Sequence, residues 1–276
     1  MEQDSQTLVS FIIPTLNEER CIARCLDSVL RQQIDNVAVE ILVADAHSTD
    51  QTRKIVAAYG ERTGHSVTLL DNPDGIAEFG KARALARARG QYIVLLDADN
   101  EIVQDDWLST LLEAFQVFPE IVAVESHYLP VPGETALNHY LTSCLHISDP
   151  LAHGIASRPR ALGKTCHRGA TYRQFALPAG YPTGANGFIY RRSCIESFVG
   201  AHTFEEAHVI VQLALSGAAS FAMVDGYGVR HDYADSFGKF LRKRRKIALK
   251  HTTRASERTS WVAHTGWRRF VMPLAY

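Results

Sequence analysis

With 276 residues, 46% of them hydrophobic and 21% charged, the chain is long enough to bury a substantial core and has the make-up of a globular protein. Its 29 basic and 30 acidic residues leave a net charge of −1, without the basic excess of a dedicated nucleic-acid binder, so no nucleic-acid partner is expected. Five scattered cysteines (Cys21, Cys25, Cys144, Cys166 and Cys194) lack metal-ligand spacing and are expected as reduced thiols, which favours a cytoplasmic setting. Residues 1–7 are polar, so no leader is expected, and no apolar run of about 18 residues predicts a membrane span.

Taken in order, residues 8–14 (LVSFIIP) form a short apolar run ended by proline, which predicts a buried strand. Asn17 is placed to cap a following helix with Glu18 and Glu19 in its first turn, and Ile22, Cys25, Leu26, Val29 and Leu30 repeat at helical spacing. Strands are predicted at 39–44, 66–70 and 92–96, with helices between them to about Tyr59 and over 77–89. A helix near 105–118 and a strand at 121–125 complete this series. From Pro130 to Pro182 the pattern breaks down, and the basic set Arg158, Arg160, Lys164, His167, Arg168 and Arg173 is read as an irregular loop able to close over a ligand. A helix around 205–216 and a short strand near 220–224 follow.

Strands alternating with helices predict an α/β fold with a mainly parallel sheet, whose ligands bind beyond the carboxyl ends of its strands. Polar groups stand at those ends: Thr15 and Asn17 after the first strand, Asp45 after the second, Asp97 and Asp99 after the fourth. In extended chain, positions i and i+2 face the same way, so Asp97 and Asp99 can address one ligand. Paired carboxylates repel unless a proton or cation lies between them, and Mg²⁺ or Mn²⁺ suits such oxygen ligands when substrate phosphates complete its shell.

Five segments occur in order: IIPTLNEE (12–19), ADAHSTDQT (44–52), KARALARARGQYIVLLDADN (81–100), TGANGFIYRR (183–192) and FEEAHVIVQLALSG (204–217). Together they resemble the family 2 glycosyltransferases, inverting enzymes of the GT-A fold, over roughly residues 8–235. The resemblance implies that Pro14, Thr15, Asn17 and Glu19 line the nucleotide pocket, that Asp45 contacts the donor base, and that Asp97 lies near ribose and metal. It implies metal binding by Asp99, with His231 of GVRHD assisting. Glu205 and Glu206 match the family's acidic pair at a helix start, with Glu206 the candidate general base, and Arg83 stands where a donor phosphate can be met. Departures from the family pattern are Glu at position 206, where Asp is common, and Ala44 and His47 beside Asp45. Trp107 is expected in the core.

The implied donor is a nucleotide-sugar, with UDP first and GDP second, and the implied acceptor a saccharide or lipid-linked hydroxyl of the cell envelope. Residues 1–235 are assigned to the GT-A domain and 236–276 to a basic helical segment. From Lys239 to Lys250 a basic amphipathic helix is predicted, followed by Trp261, Trp267 and the apolar residues 270–276. Such a segment suits an anionic membrane surface at the cytoplasmic face, as a peripheral attachment, and equally a helix packed on the domain. Two rival readings are a sugar nucleotidyltransferase, which would open with a Gly-rich, Arg-containing loop where this chain has Pro-Thr-Leu-Asn-Glu-Glu, and a scaffold that keeps the fold without turnover.

Overall fold

The computed structural model describes residues 6–253 apart from 33, 35, 63–65, 131, 143–158, 179–183, 185, 218 and 235, with side chains described to 245 at the carboxyl end. Its centre is β1 (Thr7–Thr15), whose side chains alternate between two cores: Phe11 and Ile13 enter one, Ile12 the other. Such a doubly buried strand must be apolar on both faces, which is why LVSFIIP shows no polar alternation. On one side β1 pairs in parallel with β2 (Val37–Asp45), which pairs in parallel with β3 (Ser66–Asp71). On the other it pairs in parallel with β4 (Tyr92–Leu95). These registers set Thr15 beside Asp45 and Asp45 beside Asp71 at the carboxyl edge.

The remaining strands are β5 (Asn100–Ile102), β6 (Ala123–Tyr128), β7 (Ala161–His167), β8 (Ala170–Ala176), β9 (Phe188–Arg191) and β10 (Ser220–His231). Among the described residues they make one sheet in the order β3-β2-β1-β4-β9-β6-β10-β8-β7, with β5 paired to β10. The α/β architecture with a mainly parallel centre is thus present. Antiparallel pairing enters where β9 inserts between β4 and β6, and through β5 and the β7–β8 hairpin.

Helices α1 (Ile22–Leu30), α2 (Thr52–Arg62), α3 (Ala77–Arg87), α4 (Trp107–Val117) and α5 (Ala136–Thr142) are followed by the short α6 (Arg192–Ile195), then α7 (Glu206–Leu215) and α8 (Phe237–Thr253). Ile22, Cys25 and Leu26 of α1 and Trp107, Leu108 and Leu111 of α4 fill one core; Ala84 and Leu85 of α3 and Val209 and Ile210 of α7 fill the other with Phe188, Tyr190 and Phe204. Trp107 is fully buried, as expected, with Nε1 donating to Ser126 Oγ at 2.9 Å.

Several expectations need correction. Asn17 does not cap α1, which starts five residues later; its backbone is left-handed (φ 56°) and its side chain turns to another loop. The strand expected at 121–125 is β6, displaced towards Tyr128, and the short strand at 220–224 runs on to His231. Of the basic segment read as an irregular loop, residues 161–176 are the β7–β8 hairpin, while 158 falls outside the described residues. The turn works because Arg168 (φ 47°) and Gly169 (φ 85°) both take the left-handed conformation of a tight hairpin. No described helix is long and apolar enough to cross a membrane.

Candidate functional site

At the carboxyl edge of β1, β2 and β4 lies a cleft of about 350 Å³ lined by Pro14, Thr15, Glu18, Ala46, Asn72, Ile76, Asp97 and Asp99, among others. Two loops form one wall, and side chain-to-backbone bonds lock them together. Asn17 N–H donates to Ser48 Oγ (2.8 Å) and Glu18 N–H to Thr52 Oγ1 (2.8 Å); in return Thr49 N–H donates to Asn17 Oδ1 (2.8 Å) and Gln51 N–H to Glu19 Oε2 (3.0 Å). Asn17 and Glu19 therefore shape the pocket by stitching its loops. Pro14 and Thr15 line the cleft directly, and Thr15 Oγ1 and Asn72 Oδ1 are buried there without a hydrogen-bond partner. Buried polar atoms of this kind await a ligand or water.

Asp45 is fully buried at the end of β2 and held from three directions: Ser48 N–H (3.0 Å), Ser48 Oγ–H (2.5 Å) and Arg53 Nη1–H (2.8 Å). Arg53 Nη2 also reaches Asp71 Oδ1 at 2.8 Å, tying the ends of β2 and β3. His47 follows with a positive φ of 61°.

Beyond β4 the chain turns through Asp97, Ala98 and Asp99 into β5. Asp99 Oδ1 faces His231 Nε2 at 3.6 Å, while Asp99 Oδ2 accepts from Lys243 Nζ at 3.2 Å. His231 reaches this point because β10 pairs with β5 in a register that sets His231 beside Asn100. Burial pushes the His231 pKa down, against the pull of Asp99, which favours the neutral form that ligates metals. Asp99 stays below the usual carboxylate range: burial opposes its charge, but His231 and Lys243 outweigh it. Burial lifts Asp97 to about 6, with Asp99 and Glu206 adding to the rise and Lys81 resisting it. Burial, with Asp99 second, lifts Glu18 to about 7.

Lys81 of α3 is buried and ion-paired to Glu206 at the start of α7. Burial works against its charge, yet Glu206, then Asp97 and Glu78, hold its pKa above the usual lysine value. Glu205 is the residue just before α7, with extended backbone. Gly184 sits over this pair with φ 117°, where an added Cβ would approach Glu206 Cβ at 3.0 Å. Arg83 lies apart, on Asp74 at 2.8 Å near the rim.

The structure therefore brings together Pro14, Thr15, Asp97, Asp99 and His231, with Asp45 at the base of the same edge and Glu206 behind Asp97. Reading the sequence overlooked Lys81, Asn72 and Lys243, and took Glu18 for a helix-turn acid. A lysine in the middle of the otherwise small and apolar face of α3 was the available signal for Lys81.

Among the described residues no group of three His, Cys, Asp or Glu side chains is arranged to hold a divalent ion. Asp99 and His231 supply an oxygen and a neutral nitrogen on facing groups, and such an ion typically takes one or two protein ligands plus phosphate oxygens. With Glu18 and Asp97 both pushed towards protonation, added positive charge at this spot would be favourable. The residues fit an ion brought in with, and completed by, a diphosphate.

Residues 10–177 match the profile of glycosyl transferase family 2. Over 93 residues the chain is 33% identical to the poly(ribitol-phosphate) beta-N-acetylglucosaminyltransferase TarS of Staphylococcus aureus, covering 34% of this chain and 16% of TarS. Over 121 residues it is 27% identical to glycosyltransferase GlyG of Streptococcus pneumoniae, covering 44% of this chain and 39% of GlyG. The chain thus spans well under half the length of these curated relatives. Among solved structures, mannosyltransferase PcManGT of Pyrobaculum calidifontis, in complex with GDP-Man and Mn²⁺, superposes with a TM-score of 0.59 at 18% identity, covering 97% of this chain and 69% of that one. Residues 1–349 of S. aureus TarS, in complex with UDP, give 0.54 at 19% identity, covering 88% and 65%. At such identities the superpositions speak for a shared GT-A fold. By the extent of the profile match, the chain belongs to glycosyl transferase family 2.

Proposed function

We propose that the chain is a glycosyltransferase that moves a sugar from a nucleotide diphosphate sugar, with UDP the first expectation and GDP the second, to an acceptor hydroxyl with inversion. The observation that carries this reading is the meeting of His231 with Asp99, which lines the cleft together with Pro14, Thr15 and Asp97. Support for the donor class comes from the superposable structures, which hold UDP in TarS and GDP-Man in PcManGT. On this reading the base stacks towards Asp45 and Asn72, and Asp97 receives the ribose. Asp99 and His231 would hold a Mn²⁺ or Mg²⁺ ion, whose charge stabilises the departing diphosphate.

Glu206 is the candidate general base. Inversion requires a carboxylate to take the acceptor proton as that oxygen attacks the anomeric carbon from the face opposite the diphosphate. Lys81 is ion-paired to Glu206, so productive binding of acceptor must draw Glu206 from Lys81 or share it. The acceptor is proposed to be a cell-envelope saccharide or lipid-linked hydroxyl, reached by peripheral attachment at the cytoplasmic face of the membrane. Phe237 and Leu241 stand exposed on α8 with Arg242 and Arg245, a surface suited to anionic lipid. Residues 254–276, with Trp261 and Trp267, lie outside the described residues.

The test is calorimetric titration of UDP and GDP with and without Mn²⁺, on the native chain and on Asp99→Ala. We expect metal-dependent binding of one nucleotide, weakened at least about tenfold in the variant. Glu206→Gln should retain that binding while turnover falls by about 10²–10⁴-fold. Binding of neither nucleotide under any metal condition would overturn the reading.

A further inference from the structure

On α8 Arg242 and Arg245 are exposed, but Lys243 turns in. Its Nζ lies 3.2 Å from Asp99 Oδ2 and 4.6 Å from the centre of the Tyr233 ring. Asp99 Oδ1 thus accepts from Asn100 Nδ2 at 3.0 Å and faces His231, while Oδ2 is taken by Lys243. The ammonium stands on the carboxylate that the proposed function gives to the divalent ion. A monovalent and a divalent cation cannot both crowd one buried carboxylate without strong mutual repulsion. A lysine here also has a plain use. Asp97, Asp99 and Glu18 lie within mutual electrostatic reach, and an ammonium among them relieves their repulsion while the cleft is empty.

We propose that Lys243 is a built-in competitor of the divalent cation for Asp99, paired with it in the empty protein and displaced when cation and diphosphate enter. The inference rests on the reading of Asp99 as a metal ligand. It makes α8 part of the donor site, and it makes metal binding without nucleotide weak by construction: the ion must first break an existing ion pair, whereas a diphosphate arriving with it offers Lys243 a new anionic neighbour.

The experiment measures Mn²⁺ binding by electron paramagnetic resonance, without nucleotide, in the native chain, Lys243→Met, Lys243→Gln and Arg242→Met. Arg242→Met removes the same charge from an exposed position of α8. Both Lys243 variants should bind Mn²⁺ at least about fivefold more tightly than the native chain, and Arg242→Met should change affinity by less than about twofold. Thermal melts of each variant confirm that the fold persists. If the Lys243 variants match the native chain or Arg242→Met, while all bind Mn²⁺ together with UDP, the competition is refuted and the donor reading stands. If no form binds Mn²⁺ with or without UDP, the assignment of Asp99 fails and takes the competition with it.

Discussion

Lys81 offers a direct measure of how the site is held together. Its side chain is 7% exposed and that of its partner Glu206 14%, with Asp97 and Glu78 also acting on the ammonium. Lys81→Met leaves these carboxylates facing one another with no ammonium between them. Removing one member of a buried ion pair costs about 3–5 kcal/mol, and the surplus of acids here puts Lys81→Met in that range. Glu206→Gln is a milder change: Lys81 keeps Asp97, and the new amide oxygen still accepts, so the expected cost is about 1–2 kcal/mol. For a chain of this size each kcal/mol lowers the melting temperature by about 2–4 °C. Lys81→Met should therefore melt roughly 10 °C below the native protein and Glu206→Gln only a few degrees below. In the double variant the two costs should fall short of their sum by about 2 kcal/mol, since the second change no longer breaks an intact pair. Circular-dichroism melts and urea titrations of the four proteins give the cycle. A Lys81→Met protein within about 2 °C of native, or a Glu206→Gln protein less stable than Lys81→Met, would refute the buried-pair argument.

Two further outcomes follow from other parts of the fold. Glu40 on β2 is buried and accepts from Ser10 Oγ (2.6 Å), Arg89 N–H (2.6 Å) and the Arg89 guanidinium (2.9 and 3.0 Å). Burial opposes its charge, but these bonds hold its pKa below the usual value. Its contribution is therefore fully present above the unfolded-state pKa and lost as pH falls through the folded-state one. Glu40→Gln should cost about 2 kcal/mol at pH 7, with the gap to the native chain closing below about pH 4; a gap that is constant in urea titrations from pH 7 to 3 would contradict this. Gly184→Ala forces a side chain into a left-handed position (φ 117°) and against Tyr190 Oη. It should cost about 3 kcal/mol and lower turnover more than nucleotide affinity, because Glu206 Cβ is the next atom the new methyl meets, at 3.0 Å. Unchanged urea midpoint and turnover would show that this loop yields freely.

The parallel half of the sheet was legible in the sequence because each β1–β4 strand is a short apolar run closed by a polar turn. The turn residues could be placed at the carboxyl edge by topology alone. Asp97 and Asp99 followed from their i, i+2 spacing, and Asp45 from its place after β2. Long-range partners were not legible in the same way. Lys81 meets a residue 125 positions away and Lys243 one 144 positions away; the apolar face of α3 marks Lys81 as unusual but not its partner, and on the basic α8 nothing local distinguishes an inward lysine from an outward one. Asn17 was misjudged for a related reason. A helix cap and a loop-to-loop tie use the same side-chain oxygen, and only the approach of Thr49 decides between them. The β7–β8 hairpin was hidden by its basic composition, although Gly169 and the alternation through Thr171, Tyr172, Arg173 and Gln174 carried the signal.

The strand order also has a bearing on how the chain is made. A nascent polypeptide delivers β1 to β4 before the other described strands, and these four pair in a row with one another, so the edge bearing Pro14, Thr15, Asp45 and Asp99 is made before β5 to β10. The second neighbour of β4 is β9, made some ninety residues later, and His231 is the last residue of β10. The nucleotide wall therefore precedes the cation floor in the order of synthesis. A chain released before residue 231 carries Asp97, Asp99 and Glu18 with neither His231 nor Lys243 to meet them: an acidic hollow without the groups that quieten it.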